Sequence, residues 1–137
     1  MRLLKDWRLL ILITVFTWGL WGFFAKMAST RLNWQTLCLY VAIAMTAVIA
    51  FSCIGKSTFT FDRSHLIALI AGLFAGIGSL TFYKAIERAP ASVVIPISTQ
   101  YIILTVILSS IFLNEPLLLR RIIGLIFGIT AIILLSI

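Results

Sequence analysis

Long apolar runs follow one another along almost the whole chain, and they constrain its fold more than any other feature. We count five runs of about twenty residues each, separated by short polar segments. A helix of about 20 apolar residues crosses the hydrocarbon core of a bilayer, and it satisfies its own backbone hydrogen bonds where lipid offers no partner. The pattern therefore predicts an all-α integral membrane protein, folded as a bundle of five transmembrane helices.

The predicted spans form one transmembrane domain over residues 1–137. Their loops are short, so neighbouring helices are expected to be antiparallel. Asp62 and Ser64 are candidate N-caps for the third span. Pro90 separates the third span from the fourth, and Pro116 suits the first turn of the fifth. The spans run approximately over residues 9–29, 35–54, 65–83, 91–113 and 117–137.

Composition supports a membrane protein and argues against a nucleic-acid binder. Hydrophobic residues make up 62% of the chain, the mean hydropathy is +1.17, and the formal net charge is +7. The cations lie in short gaps between apolar runs, and no basic face carries interleaved aromatic residues of the kind that nucleic-acid binders need. We expect these cations to contact lipid headgroups and to orient the chain in the bilayer.

The basic residues favour a cytoplasmic N-terminus by a small margin. Seven lie on the predicted side of the N-terminus and four on the other, a margin that also allows insertion in both orientations. Because the number of spans is odd, a second copy fused in tandem would be inverted, and inverted repeats around a midplane site are usual in secondary transporters. The seven are Arg2, Lys5, Arg8, Lys56, Arg63, Arg120 and Arg121, and the four are Lys26, Arg31, Lys84 and Arg88.

The first span carries two tryptophans on one face. Thr14, Trp18, Trp21 and Ala25 follow helical spacing and therefore share that face. Trp18 lies about halfway along the span, away from the interface where tryptophans are usually enriched. Two interpretations stay open, namely packing against a neighbouring helix and an aromatic wall of a substrate cavity.

The fourth span carries hydroxyl groups on one face and a proline beside them. Ser98, Tyr101 and Thr105 are spaced by three and four, and they are expected to face protein or water because polar groups facing lipid are costly. Pro96 removes a backbone hydrogen bond and predicts a kink. The alternative is that the hydroxyls bond back to their own helix. Gln100, the most polar residue deep in any span, falls off this face and is expected to bond a neighbouring helix.

Pairs of glycines spaced by four mark two further faces. Gly72 and Gly76 lie in the third span, and Gly124 and Gly128 lie in the fifth. This spacing allows two helices to approach closely. Packing within the bundle and contact between chains both stay open, and for the fifth span we favour contact between chains.

The chain lacks the side-chain sets that catalysis or proton coupling would need. Asp6, Asp62, Glu87 and Glu115 all lie at the ends of spans, whereas proton-coupled exchangers commonly use a buried carboxylate. The sequence shows no metal cluster, no nucleophile paired with a base and no phosphate-binding loop. We therefore expect no enzymatic activity, no cofactor and no metal site.

Four short motifs occur in order along the chain. They are the Trp-Gly-Leu-Trp-Gly opening at Trp18–Gly22, the segment Ala85–Ile97 with its Pro-Ala-Ser-Val-Val run, the corner Phe112–Pro116, and the glycine pair Gly124–Gly128. This ordered set resembles the EamA-like proteins of the drug/metabolite transporter superfamily. The resemblance covers essentially the whole chain as one five-helix repeat.

The resemblance implies a multi-pass permease or exporter of the cell inner membrane, with a substrate cavity between two repeats. One chain would be half of an inverted-repeat transporter, and a second copy, identical or related, would supply the other half. The partner would therefore be the same chain, in an antiparallel or parallel homodimer, or a related subunit. Small multidrug exporters of the same superfamily carry a glutamate in the first span, where this chain has Thr14, Thr17 and Trp18, so their cation exchange is not transferred.

These observations lead to one hypothesis and two alternatives. The hypothesis is alternating-access transport of a small organic metabolite or drug by a dimer. The alternatives are an accessory or scaffold membrane subunit, and a flippase subunit for a lipid-linked sugar. In the hypothesis, rings pack the apolar part of the solute and hydroxyls meet its polar groups. The predicted substrate-binding residues are Trp18, Trp21, Tyr83, Ser98, Tyr101 and Thr105.

Overall fold

The computed structural model describes residues 7–55 and 62–136, and all regular structure within these ranges is helical. The predicted all-α fold class is therefore confirmed. Arg2, Lys5 and Lys56, which enter the charge comparison, and Ile137, the predicted end of the fifth span, lie outside the described residues. The helices are α1 (Trp7–Ser29), α2 (Trp34–Cys53), α3 (Arg63–Arg88), α4 (Ala91–Ser98), α5 (Tyr101–Phe112) and α6 (Leu119–Ser136).

Four helical segments among the described residues are long and apolar enough to cross a membrane. They are Trp7–Ser29, Trp34–Cys53, Arg63–Arg88 and Ala91–Phe112, and the last of these combines α4 and α5. A multi-pass membrane protein is thus confirmed. The predicted fifth span corresponds to α6, which has 18 residues and is not among the four. Its membrane crossing, and with it the five-span domain over residues 1–137, stays a prediction.

The chain divides into two compact units, an N-terminal unit of residues 1–88 and a C-terminal unit of residues 89–137. In the N-terminal unit, α1, α2 and α3 all pack on one another. The buried residues of this unit lie in the second half of α1, the first turns of α2 and the last turns of α3, so its core occupies one end of the three helices. They are Gly22, Ala25, Ser29, Leu37, Tyr83 and Ile86.

Polar side chains fix two of the helix starts in the N-terminal unit. The Asn33 side chain accepts a hydrogen bond from the Thr36 N–H at 2.9 Å and caps α2. Asp62 Oδ1 accepts hydrogen bonds from the N–H groups of Ser64 at 2.8 Å and His65 at 3.1 Å, and so caps α3 as the sequence predicted. A further hydrogen bond with the His65 ring holds the pKa of Asp62 below its usual value.

Helix bounds in the structure differ from the sequence prediction at three places. The third helix continues past Tyr83 to Arg88, because the charged residues there end the apolar run but are compatible with a helix. The fourth predicted span is two helices, α4 and α5. Pro116 does not lie in the first turn of the last helix, since its carbonyl accepts the Leu118 N–H at 3.2 Å in a tight turn and α6 begins only at Leu119.

Candidate functional site

An aromatic cluster joins α1 to α3 within the N-terminal unit. The Trp21 ring stacks on Phe82 with centroids 5.0 Å apart and meets Tyr83 edge-on at 6.1 Å. The indole Nε1–H of Trp21 also donates a hydrogen bond of 3.0 Å to the hydroxyl oxygen of Tyr83. Aromatic pairs with this geometry stabilise a structure beyond the area that they bury. The cluster holds the end of α3 against the second half of α1.

Charged residues complete the packing at the same end of the N-terminal unit. Lys26 Nζ donates a 2.8 Å hydrogen bond to the Ile86 carbonyl in the last turns of α3, and Glu87 Oε1 accepts a 3.2 Å hydrogen bond from the Trp34 N–H at the start of α2. Both contacts satisfy backbone groups that helix ends leave without an intrahelical partner. The Lys84 ammonium lies 5.7 Å from the centre of the Trp34 ring. These three contacts tie the helix ends of the unit together.

Of the predicted site residues in the N-terminal unit, the structure brings two together. Trp21 and Tyr83 form the hydrogen-bonded pair, and the Tyr83 side chain is buried. Trp18 is 62% exposed on the surface of α1. An exposed aromatic side chain in a membrane helix must meet lipid, a second chain or a solute. The role of all three in substrate binding stays a prediction.

In the C-terminal unit, the membrane segment of residues 91–112 is interrupted at Thr99 and Gln100. The Gln100 N–H donates to the Ile97 carbonyl at 3.1 Å rather than to the Pro96 carbonyl one residue earlier. The Pro96 carbonyl instead accepts the Thr99 hydroxyl at 2.7 Å. The regular backbone hydrogen bond from Gln100 to Pro96 is thus replaced by a shorter backbone bond and a side-chain bond, and α4 ends at Ser98.

The predicted hydroxyl face lies on both sides of this interruption. The Ser98 hydroxyl donates to the Ile95 carbonyl at 2.8 Å, and the Thr105 hydroxyl donates to the Tyr101 carbonyl at 3.0 Å. Both bonds return to the residue's own helix, which was the alternative interpretation of this face. Tyr101 is 57% exposed. Hydroxyls bonded in this way can still accept a hydrogen bond from a solute, so their assignment to the substrate site stays a prediction.

An apolar groove opens within the C-terminal unit between α5, the corner after it and α6. Its volume is about 450 Å³, and its walls are mostly isoleucine, leucine and valine side chains. The only polar or charged side chains in its lining are those of Thr99 and Gln100 at the interruption, and of Glu115 and Arg121 near the corner. Gly124 and Gly128 form part of the α6 wall. The groove has the size of a small-molecule pocket.

Sequence reasoning placed Gln100 against a neighbouring helix and left it out of the predicted site. The structure instead places it half-buried in the lining of the groove, where its carboxamide has no hydrogen-bond partner among the described residues. Its polarity at mid-span was the available signal. The carboxamide offers two N–H donors and a carbonyl acceptor. The sequence predicted a distortion at Pro96 but not its exact place, so the position of Gln100 next to the end of α4 could not be read from it.

The two predicted glycine faces are open. A methyl group added at Gly72, Gly76, Gly124 or Gly128 would meet no other atom within 4 Å. The first two glycines lie exposed on α3, and the last two line the groove. The close helix approach that this spacing allows is therefore not made by these described residues within the chain. Contact with a second chain at these faces stays a prediction.

The hydrogen bond between Trp21 and Tyr83 predicts a specific loss of stability. Changing Tyr83 to Phe should lower the free energy of unfolding by about 1 kcal/mol, because the part-buried indole N–H loses its acceptor. Unfolding of the purified protein in mixed micelles, followed by tryptophan fluorescence, measures this change. The matched control is Tyr40→Phe on α2, where the ring is 65% exposed and no change is expected. Equal stabilities of the two variants would show that the hydrogen bond does not hold α1 to α3.

Comparisons with known proteins agree with this architecture. The model of the EamA-like transporter family matches residues 6–137. An uncharacterized protein of Methanocaldococcus jannaschii is 35% identical over 131 residues, which cover 93% of this chain and 93% of that protein. No solved structure matches the chain significantly. Since the family model covers nearly the whole sequence, this chain belongs to the EamA-like transporter family.

Proposed function

We propose that this chain carries a small organic solute across the cell inner membrane by alternating access, with two copies forming the working transporter. The observation that carries the proposal is the interrupted membrane segment, in which α4 ends at Ser98 and α5 begins at Tyr101 beside an open apolar groove. Secondary transporters commonly build their substrate sites from discontinuous helices. Membership of a transporter family gives the interruption this functional meaning.

Two observations support a dimer. The glycine faces at Gly72–Gly76 and Gly124–Gly128 leave space that another helix can occupy. The archaeal relative is matched over 93% of its own length by the same single repeat. A single repeat of five spans needs a second repeat to enclose a midplane cavity, and the small charge bias allows the second copy to insert in the opposite orientation.

The predicted aromatic residues would contact the solute in this transporter. Trp18 and Tyr101 are exposed on α1 and α5, where a solute can reach them, whereas Tyr83 is held in the hydrogen bond with Trp21. Large aromatic side chains supply most of the contact energy in many binding sites. Ser98 and Thr105 would add hydroxyl groups for the polar part of the solute.

Solute flux tests the transport proposal directly. Liposomes containing the purified protein are assayed against a panel of radiolabelled metabolites and drugs, and the transported compound is then measured with variants. Trp18→Ala and Tyr101→Ala should each lower uptake about tenfold, since losing an aromatic contact costs on the order of 1–2 kcal/mol. The matched controls are Trp7→Ala and Tyr40→Ala, whose rings are 66% and 65% exposed and should leave uptake unchanged.

Two results would contradict this proposal in different ways. Wild-type flux that is unaffected by both Trp18→Ala and Tyr101→Ala would show that these residues do not form the substrate site. An absence of flux from the chain alone, together with a stable complex with a different membrane protein, would indicate an accessory subunit instead.

The antiparallel arrangement makes a separate prediction about topology. With Cys38 and Cys53 replaced by serine and a single cysteine added after Ile137, a membrane-impermeant thiol reagent should label about half of the chains in intact cells and the rest only after lysis. Labelling on one side only would contradict the antiparallel pair. It would indicate a parallel homodimer or a partner subunit of opposite orientation.

A further inference from the structure

The Gln100 carboxamide has no hydrogen-bond partner among the described residues, although it lies half-buried in the lining of the groove. A polar group that leaves water without a replacement hydrogen bond costs about 2–7 kcal/mol, depending on the reference environment. In the middle of a membrane segment, lipid tails cannot supply that bond. The carboxamide can therefore gain a hydrogen bond from a polar group of a bound molecule.

The backbone at Gln100 is already satisfied, so the unmet demand is on the side chain alone. The Gln100 N–H donates to the Ile97 carbonyl at 3.1 Å, and the Gln100 carbonyl accepts from the Ile103 N–H at 3.0 Å. The neighbouring Thr99 hydroxyl is also used, because it donates to the Pro96 carbonyl at 2.7 Å. A carboxamide both donates and accepts, so it matches an amide, a hydroxyl or a carbonyl group equally well.

The two charged residues in the lining are of opposite sign. Glu115 belongs to the corner and Arg121 to the first turn of α6, so the lining carries no net charge. A charged group in the groove would therefore find no excess of opposite charge in the lining, and burying it among apolar side chains would be costly. The group that Gln100 contacts should be neutral.

The size and the lining of the groove limit the size and the polarity of the rest of the ligand. A volume of about 450 Å³ accommodates a compact molecule of two or three rings. Most of the other lining side chains are aliphatic, and Gly124 and Gly128 add no side chain to the α6 wall. Most of the ligand must therefore be apolar.

We propose that this groove is a further binding position for the transported solute, apart from Trp18 and Tyr101, which do not line it, and that the solute is an uncharged, mainly apolar molecule whose single amide, hydroxyl or carbonyl group is held by Gln100. The inference rests on the proposed transport function and adds to it a solute class and a residue. A lipid tail fills apolar space but leaves the carboxamide unpaired. A helix of a second copy is the competing occupant, and the experiment separates the two.

Binding of matched probes to the protein in lipid nanodiscs tests the solute class. The probes share a two-ring body and differ in one group. Benzanilide carries a neutral amide, trans-stilbene has no polar group, biphenyl-4-carboxylate is an anion, and 4-phenylbenzylammonium is a cation. Equilibrium dialysis, corrected with empty nanodiscs, should show saturable binding of benzanilide at least about tenfold tighter than that of the other three, the ratio expected for one hydrogen bond.

Two pairs of variants locate the bound probe. Gln100→Leu should weaken benzanilide binding about tenfold and leave stilbene binding unchanged, whereas Gln35→Leu at the start of α2 should change neither. Gly128→Leu should abolish benzanilide binding by filling the groove, whereas Thr130→Leu, which adds bulk to α6 outside the lining, should not. Circular dichroism and the elution volume of each variant confirm that it is folded and keeps its oligomeric state.

Several outcomes would overturn the inference. Benzanilide that binds no more tightly than stilbene, or equally to wild type and Gln100→Leu, would show that the carboxamide does not select the ligand. Tighter binding of either charged probe would contradict a neutral solute. A change of oligomeric state in Gln100→Leu, without saturable binding to wild type, would assign the groove to a second chain.

The outcome for transport is distinguishable from the outcome for binding. Gln100-dependent binding of benzanilide without any solute flux would leave the site standing and remove the transport function. Flux of a solute that Gln100→Leu and Gly128→Leu do not affect would leave transport standing and remove this site.

Discussion

The structure of this chain depends on one constraint, which is that every polar group inside a membrane must find its partner within protein or on a bound molecule. The described hydroxyls in α1, α4 and α5 mostly obey it locally. Thr14, Ser98 and Thr105, for example, all donate to carbonyls of their own helix. Helix ends obey it through contacts between residues distant in the sequence, since Lys26 and Glu87 form hydrogen bonds with backbone groups of other helices. The Gln100 carboxamide does not obey it within the described chain.

The interruption at Thr99 and Gln100 links this constraint to transport. An unbroken helix presents only side chains to its surroundings, whereas a discontinuous helix can also expose backbone groups to a cavity. In the C-terminal unit the break borders a groove of about 450 Å³, and the glycines of α6 keep the opposite wall open. The N-terminal unit is different, because its aromatic and charged contacts close one end of its three helices. One unit therefore provides a firmly packed end and the other provides an open site.

Sequence reasoning recovered the parts that depend on local pattern. Apolar runs located most ends of the membrane helices to within a few residues. The exception is α3, which extends past Tyr83 to Arg88, because charged residues end an apolar run but can still continue a helix. The sequence also located the cap at Asp62. Pro96 signalled a distortion of the fourth span. The break itself lies after Ser98, where the Gln100 N–H donates to the Ile97 carbonyl and not to the Pro96 carbonyl, and no periodicity reveals that change.

What could not be predicted depends on contacts between residues distant in the sequence. Trp21 and Tyr83 were each selected from composition and spacing, but their mutual hydrogen bond follows from the packing of α1 on α3. Gln100 was recognised as polar and deep, yet its place in the groove depends on where the residues of α6 lie, which the pattern of its own span does not reveal. Pro116 was predicted to lie in the first turn of the last helix, but it lies before that helix, where its carbonyl accepts a hydrogen bond from the Leu118 N–H.

Amide hydrogen exchange of the protein in lipid nanodiscs tests most directly whether the fourth membrane segment is interrupted beside a cavity. Amide N–H groups inside a regular membrane helix exchange very slowly, whereas those at a break that water or solute reaches exchange faster. An interrupted segment predicts that the Tyr101 N–H, at the first position of α5, exchanges at least about a hundredfold faster than those of Leu104 and Val106 in the middle of α5. Equal, slow exchange from Val93 to Leu108 would indicate a continuous helix sealed in lipid and would contradict the interrupted segment.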